Sequence, residues 1–214
     1  MKTSVLLIFA CVIASLWAWQ QEPAFAEKNL IFSLSNLERG RPWTLVAALF
    51  VHANVLHLFG NMLFLFVFGS TLERTVGAPK LLAIFFTGGF MGFMLGPAFL
   101  PRGAGMLGAS AAIFALAGCV MLVRPLKFSW LFLAPQGLIA IIYFIYNLVV
   151  VYEKSRIPGY HAQVAYVAHV IGFLVGVPFG IAWSNHWKKN LLITVLLLGI
   201  YIALISGALT VLFH

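Results

Sequence analysis

Four polar side chains stand where apolar sequence surrounds them: His57, Asn61, Ser110 and His169. A serine hydroxyl and an imidazole together can do nucleophilic chemistry, the ring taking the proton as the oxygen attacks a carbonyl carbon. Ser110 follows Gly103-Ala104-Gly105 and Gly108, where a loop turns into a helix. The first N–H groups of a helix have no internal partner and its dipole favours negative charge there, an environment suited to an oxyanion. His57 and Asn61 are four residues apart, about 40° on a helix, so one face presents both as donors beside the Ser110 amide. His52, five residues before His57, falls about 140° away on a continuous helix and leaves that face. Taken singly, Ser110 reads as a helix cap and His169 as a packing histidine; only the combination carries chemistry. No buried aspartate is available to orient the imidazole, so the expected arrangement is a Ser110–His169 dyad, not a triad.

Two stripes of small residues could bring these groups together. Ala168, Gly172, Gly176 and Gly180 recur every four residues beside His169, and Ala111, Ala115 and Gly118 follow Ser110 on a comparable face. Such stripes let helix backbones approach closely inside a membrane. Metal chemistry has little support: there is no HExxH, no carboxylate partner and no thiolate pair. Cys11 and Cys119 lie within apolar runs and read as packing residues. No metal and no cofactor is expected.

The elements that must position these residues are membrane spans. Of 214 residues, 63% are hydrophobic and 8% charged, with a mean hydropathy of +1.03, whereas a soluble domain has about 25% charged residues. This excludes a cytosolic protein, a disordered chain and a disulfide scaffold. Seven segments are long enough to span, at 3–21, 44–70, 79–100, 107–123, 128–152, 162–184 and 190–213. The fold class is therefore all-α, a polytopic helical membrane bundle. The net charge is +8, but the 13 Lys and Arg residues sit singly between spans. That pattern excludes nucleic acid as a partner and suits the lipid bilayer. The first 26 residues share features with a secretory signal, but Trp17 and Trp19 suit an interfacial belt, so a retained first span is expected. With the N-terminus inside, seven basic residues fall inside and six outside, which leaves the orientation open.

At this point the residues resemble the rhomboid family of intramembrane serine proteases. The resemblance rests on motifs in order: His52-Ala53-Asn54-Val55-Leu56-His57-Leu58-Phe59-Gly60-Asn61-Met62; Gly69 with Glu73-Arg74 and Gly77; Gly108-Ala109-Ser110; and Ala168-His169-Val170-Ile171-Gly172-Phe173-Leu174-Val175-Gly176. It implies a six-helix catalytic core over residues 1–185, then a linker and an additional C-terminal transmembrane helix over 186–214. It implies Ser110 as nucleophile, His169 as base and then acid, and His57 and Asn61 as oxyanion donors. It also implies an active site open to the extracytoplasmic side of a cell membrane, here expected to be prokaryotic. His52 and Glu73 are implied to be structural, and Arg41 and Trp43 to lie in the first external loop. Two departures stand out: Ala111 where Gly often follows the serine, and Phe114 where some members place a Tyr on the histidine.

The expected function is an endopeptidase cleaving bonds in or near the transmembrane segments of membrane protein substrates. A catalytically silent protein-binding relative is the alternative. A transporter fits less well, since no internal repeat is apparent.

Overall fold

The computed structural model describes residues 2–99, 104–155 and 163–212; Gly103 and the expected span ends at 100, 162 and 213 lie outside them. The chain is helical almost throughout. Helix α1 (Lys2–Ala18) leads into two short helices, α2 (Pro23–Asn29) and α3 (Leu34–Glu38).

The segment expected as one span over 44–70 is broken. Helix α4 (Thr44–Phe50) ends at Val51, whose extended backbone leads into a loop. Helix α5 (Val55–Phe64) then starts afresh, its Asn54 cap accepting from the His57 N–H at 2.9 Å. A side chain that satisfies an orphan N–H makes this restart favourable. The helix runs on through a π-helical stretch at Leu65–Gly69 into α6 (Ser70–Val76), so the spanning unit is Val55–Val76. His52 therefore lies in a loop, and the helical angle assigned to it from spacing does not apply.

Helix α7 (Ala78–Leu95) follows Gly77, whose φ of +89° suits glycine. Helix α8 (Ser110–Val123) begins three residues later than the expected span, and it has 14 residues. At 1.5 Å per residue it is about 21 Å long, short of the roughly 30 Å hydrocarbon core. It is nonetheless buried from Ala111 to Leu122, sheathed by its neighbours. The stretch expected to open the fifth span instead folds into a minimal hairpin, β1 (Phe128–Ser129) with β2 (Ala134–Pro135), before α9 (Gln136–Ser155). Helices α10 (Gln163–Trp183) and α11 (Trp187–Leu212) complete the chain. Among the described residues five helical units are long and apolar enough to cross a membrane, and α1 and α8 are shorter apolar helices.

The small-residue stripes do interlock. A Cβ on Gly172 would overlap the Ala111 carbonyl oxygen, and one on Gly176 the Ala115 carbonyl. Helix α7 packs against the same residue: a Cβ on Gly92 would stand 2.6 Å from Ala111 Cβ and 3.2 Å from the Ala168 carbonyl oxygen of α10. Close backbone approach gains dispersion contacts without needing a hydrophobic driving force, which lipid cannot supply.

Helix α1 is tied to this core at both ends. Near its start, Thr3 N–H and Ser4 N–H donate to the Glu73 carboxylate at 3.0 and 2.9 Å, and Ser4 Oγ donates at 2.7 Å. A carboxylate at a helix N-terminus satisfies orphan donors and complements the dipole. Near its other end, Trp19 Nε1 donates to the His52 carbonyl at 2.7 Å and Ser15 Oγ lies 3.1 Å from His52 Nδ1.

Candidate active site

Ser110 sits at the first turn of α8, and the strand of chain before it is held from three directions. Met106 exchanges both backbone hydrogen bonds with Phe32, at 2.7 and 3.0 Å. Gly108 N–H donates to the Ala48 carbonyl at 2.8 Å. Ala109 N–H donates to His52 Nε2 at 3.4 Å. That bond makes Nε2 the lone-pair nitrogen of His52, so Nδ1 carries the proton and donates to Ser15 Oγ, whose hydroxyl turns to the Phe50 carbonyl at 3.3 Å. Gly108 has φ +108°, and a Cβ there would stand 2.8 Å from His57 Cε1 and Nε2. Glycine is required on both counts, because its missing side chain is what lets the His57 ring approach the turn before Ser110.

The His57 ring has a defined tautomer. Ala53 N–H donates to its Nδ1 at 3.4 Å, so Nε2 carries the proton and faces Gly108 as a donor. Asn61 lies one turn further along α5, buried, with Nδ2 donating to the His57 carbonyl at 2.8 Å. One hydrogen of that amide is left over. Asn61 is not among the residues lining the cavity described next, and its remaining N–H lies one helical turn from His57.

His169 is buried on α10, and three groups fix its ring. Phe114 stacks on one face, centroids 4.5 Å apart and planes 9° from parallel, while Tyr143 stacks on the far side of Phe114 at 4.3 Å. Tyr166 meets the ring edge-on at 6.0 Å. The third group, Asn147 of α9, was passed over in the sequence. Its Oδ1 lies 2.7 Å from His169 Nδ1, and its Nδ2 donates to the Tyr143 carbonyl at 2.7 Å. With its NH₂ engaged by Tyr143, Asn147 presents a carbonyl oxygen to His169, so Nδ1 bears the proton and Nε2 the lone pair. Sequence reasoning looked for a buried carboxylate to orient the imidazole; a buried amide occupies that position. Among the described residues Nε2 has no hydrogen-bond partner, Ser110 included. Catalytic hydrogen bonds are often long without substrate, so this geometry is compatible with a base.

A cavity of about 620 Å³ joins these groups. Its lining includes His57, Ser110, Tyr143, Asn147 and His169, together with Gly105, Met106 and Leu107. Residues 52 to 169, far apart in sequence, thus converge where α8 begins. No cluster of His, Cys, Asp or Glu among the described residues has metal-binding geometry.

The architecture defines a polytopic helical membrane protein assembled around a short, sheathed central helix that carries a serine at its start. A family model described as "Rhomboid domain" matches residues 39–186, more than half of the chain. The chain belongs to the rhomboid family. It is 29% identical over 154 residues to Rhomboid protease GlpG of Haemophilus influenzae, covering 70% of this chain and 73% of that protein. It is 32% identical over 146 residues to Rhomboid-like protease 2 of Toxoplasma gondii, covering 68% of this chain and 49% of that protein. To Rhomboid protease GluP of Bacillus subtilis it is 29% identical over 167 residues, 78% of this chain and 32% of that protein. The chain thus spans most of the first of these relatives and half or less of the other two.

Proposed function

We propose that this chain is an intramembrane serine endopeptidase with Ser110 as nucleophile and His169 as general base and acid. The observation that carries the reading is the fixed His169 ring. Asn147 and Phe114 hold it with the unprotonated Nε2 unpartnered, on the wall of the cavity that Ser110 also lines. The protease names of several family relatives support the same class of reaction.

In the proposed reaction Ser110 Oγ attacks the scissile carbonyl carbon and His169 Nε2 takes the hydroxyl proton. The imidazolium that forms keeps its Nδ1–H on the Asn147 oxygen. Negative charge collects on the former carbonyl oxygen, where the His57 Nε2–H, the remaining Asn61 N–H and the Ser110 N–H are the proposed donors. Losing one such donor costs about 10²–10³ in rate. His169 then hands its proton to the departing amine, the peptide bond breaks, and an acyl ester on Ser110 remains. Water, deprotonated by the same nitrogen, hydrolyses the ester and restores the serine. The substrates are transmembrane segments of other membrane proteins. The cavity opens to the extracytoplasmic side, the catalytic core covers residues 1–185, and residues 186–214 add a linker and a further transmembrane helix.

The test is cleavage of a single-span substrate in proteoliposomes. Ser110→Ala abolishes cleavage while the protein still inserts and melts normally, and a fluorophosphonate labels Ser110 in the unaltered protein only. Cleavage retained by Ser110→Ala, or no adduct on folded protein, refutes the assignment and favours a non-catalytic binding role.

A further inference from the structure

A second cavity lies at the other end of the molecule. It has a volume of about 680 Å³ and is formed where the ends of four elements meet: α6, the chain after α8, the turn between α10 and α11, and the first turn of α11. Helix α8 separates it from Ser110 by about 20 Å at 1.5 Å per residue, which puts it at the opposite membrane face.

Its chemistry is amphipathic. Arg74, Arg124 and Lys127 bring positive charge from two separate elements, and Val123, Pro125 and Leu126 give it an apolar side. Hydroxyls of Thr71, Thr75 and Ser184 add hydrogen-bonding capacity. Among the described residues no acidic side chain lines it. Glu73, the one acid between Glu38 and Glu153 in the sequence, directs its carboxylate to Thr3 and Ser4 instead. The described lining therefore carries three cationic side chains and no acidic one.

The surroundings mark the depth. Trp183 ends α10 and Trp187 begins α11, with Lys80 Nζ 5.0 Å above the first ring and Lys188 Nζ 5.5 Å above the second. Tryptophans paired with lysines at span ends are the signature of the headgroup level. A cavity at that level with a cationic wall and an apolar wall matches a molecule with a phosphate and an acyl-bearing glycerol. We propose that this cavity binds the headgroup of an acidic phospholipid, its phosphate against Arg124, Lys127 and Arg74 and its glycerol against Val123, Pro125 and Leu126. Basic pockets between transmembrane helices recognise lipid phosphates in this way. The proposal is independent of the protease reading.

Native mass spectrometry of the full chain, stripped of lipid in neutral detergent, tests it. Phosphatidylglycerol should remain bound under conditions that release phosphatidylcholine. The Arg124→Gln/Lys127→Gln variant should lose about tenfold or more in phosphatidylglycerol affinity, since each juxtamembrane cation contributes roughly 1 kcal/mol. A Lys188→Gln/Lys189→Gln variant removes two charges from the same end but outside the cavity lining, and should bind as the unaltered chain does. Equal losses in both variants would show a diffuse surface attraction and overturn the site. Displacement by glycerol 3-phosphate at the lipid's own concentration would show a free-phosphate site and overturn the lipid assignment. Melting in phosphatidylcholine nanodiscs confirms that the variants fold; if the double variant does not, Lys127→Gln alone carries the same expectation at about three- to tenfold.

Discussion

Replacing Asn147 by leucine isolates what orienting the imidazole is worth. Leucine has nearly the shape of asparagine and no acceptor. The variant leaves His169 Nδ1–H buried without its 2.7 Å partner, while the Tyr143 carbonyl keeps the backbone N–H that the helix gives it. A buried donor left unsatisfied costs about 1–3 kcal/mol. The ring escapes that cost by rotating or by moving its proton to Nε2, and either change removes the base. At 1.36 kcal/mol per tenfold, the productive state falls by about 5- to 150-fold. The loss stops short of abolition because Phe114, stacked at 4.5 Å and 9°, still confines the ring plane. Initial rates on a single-span substrate in proteoliposomes should show the whole drop in kcat, with KM changed by less than about twofold, because an interaction acting in the chemical step is being removed. Asn147→Asp restores an acceptor and should recover most of the rate. The reasoning is refuted if Asn147→Leu turns over within about twofold of the unaltered protein while Ser110→Ala is inactive.

Three further outcomes follow from the packing. Gly108→Ala should lose at least about 10²-fold in kcat, because its Cβ meets His57 at 2.8 Å and its φ is +108°; the same cleavage assay reads it, with a melting curve as the folding control. Gly172→Ala forces a methyl onto the Ala111 carbonyl, and overpacking of this kind should destabilise by about 1–3 kcal/mol, measured as a lowered midpoint in denaturing detergent. Glu73→Gln removes the charge that holds Thr3 and Ser4 and should lower stability by about 1–2 kcal/mol, with little change in the kcat of the protein that remains folded.

Polar residues inside apolar runs were legible because the bilayer makes them expensive, and His57, Ser110 and His169 do line one cavity. The small-residue stripes were legible for a related reason: a four-residue recurrence of glycine and alanine has few uses except close helix contact. Hydropathy did not reveal the break at residues 51–54, since Val51 and Ala53 are as apolar as their neighbours. The available signal was Asn54, a capping residue three positions before His57, which the helical spacing argument absorbed into a continuous span. Asn147 was illegible for a different reason. It lies in Tyr146-Asn147-Leu148 with no motif about it, and its meaning comes from the rotation of α9 against α10, a tertiary quantity with no local sequence signature. The basic cavity was hidden likewise, since residues 71–75, 123–127 and 184–190 meet only in the folded bundle.

The clasp on α1 sets a schedule. Its partners are separated by 69 and 70 residues for Glu73 and by 37 for His52. At about 5–20 residues per second of synthesis, α1 waits roughly 2–7 s before the His52 loop exists to receive Ser15, and roughly 4–14 s before Glu73 reaches its other end. Helix α1 is thus docked from its far end toward its beginning, and its N-terminal turn closes after its C-terminal end. Substitutions at Ser15 and at Glu73 would then act at different moments in its manufacture.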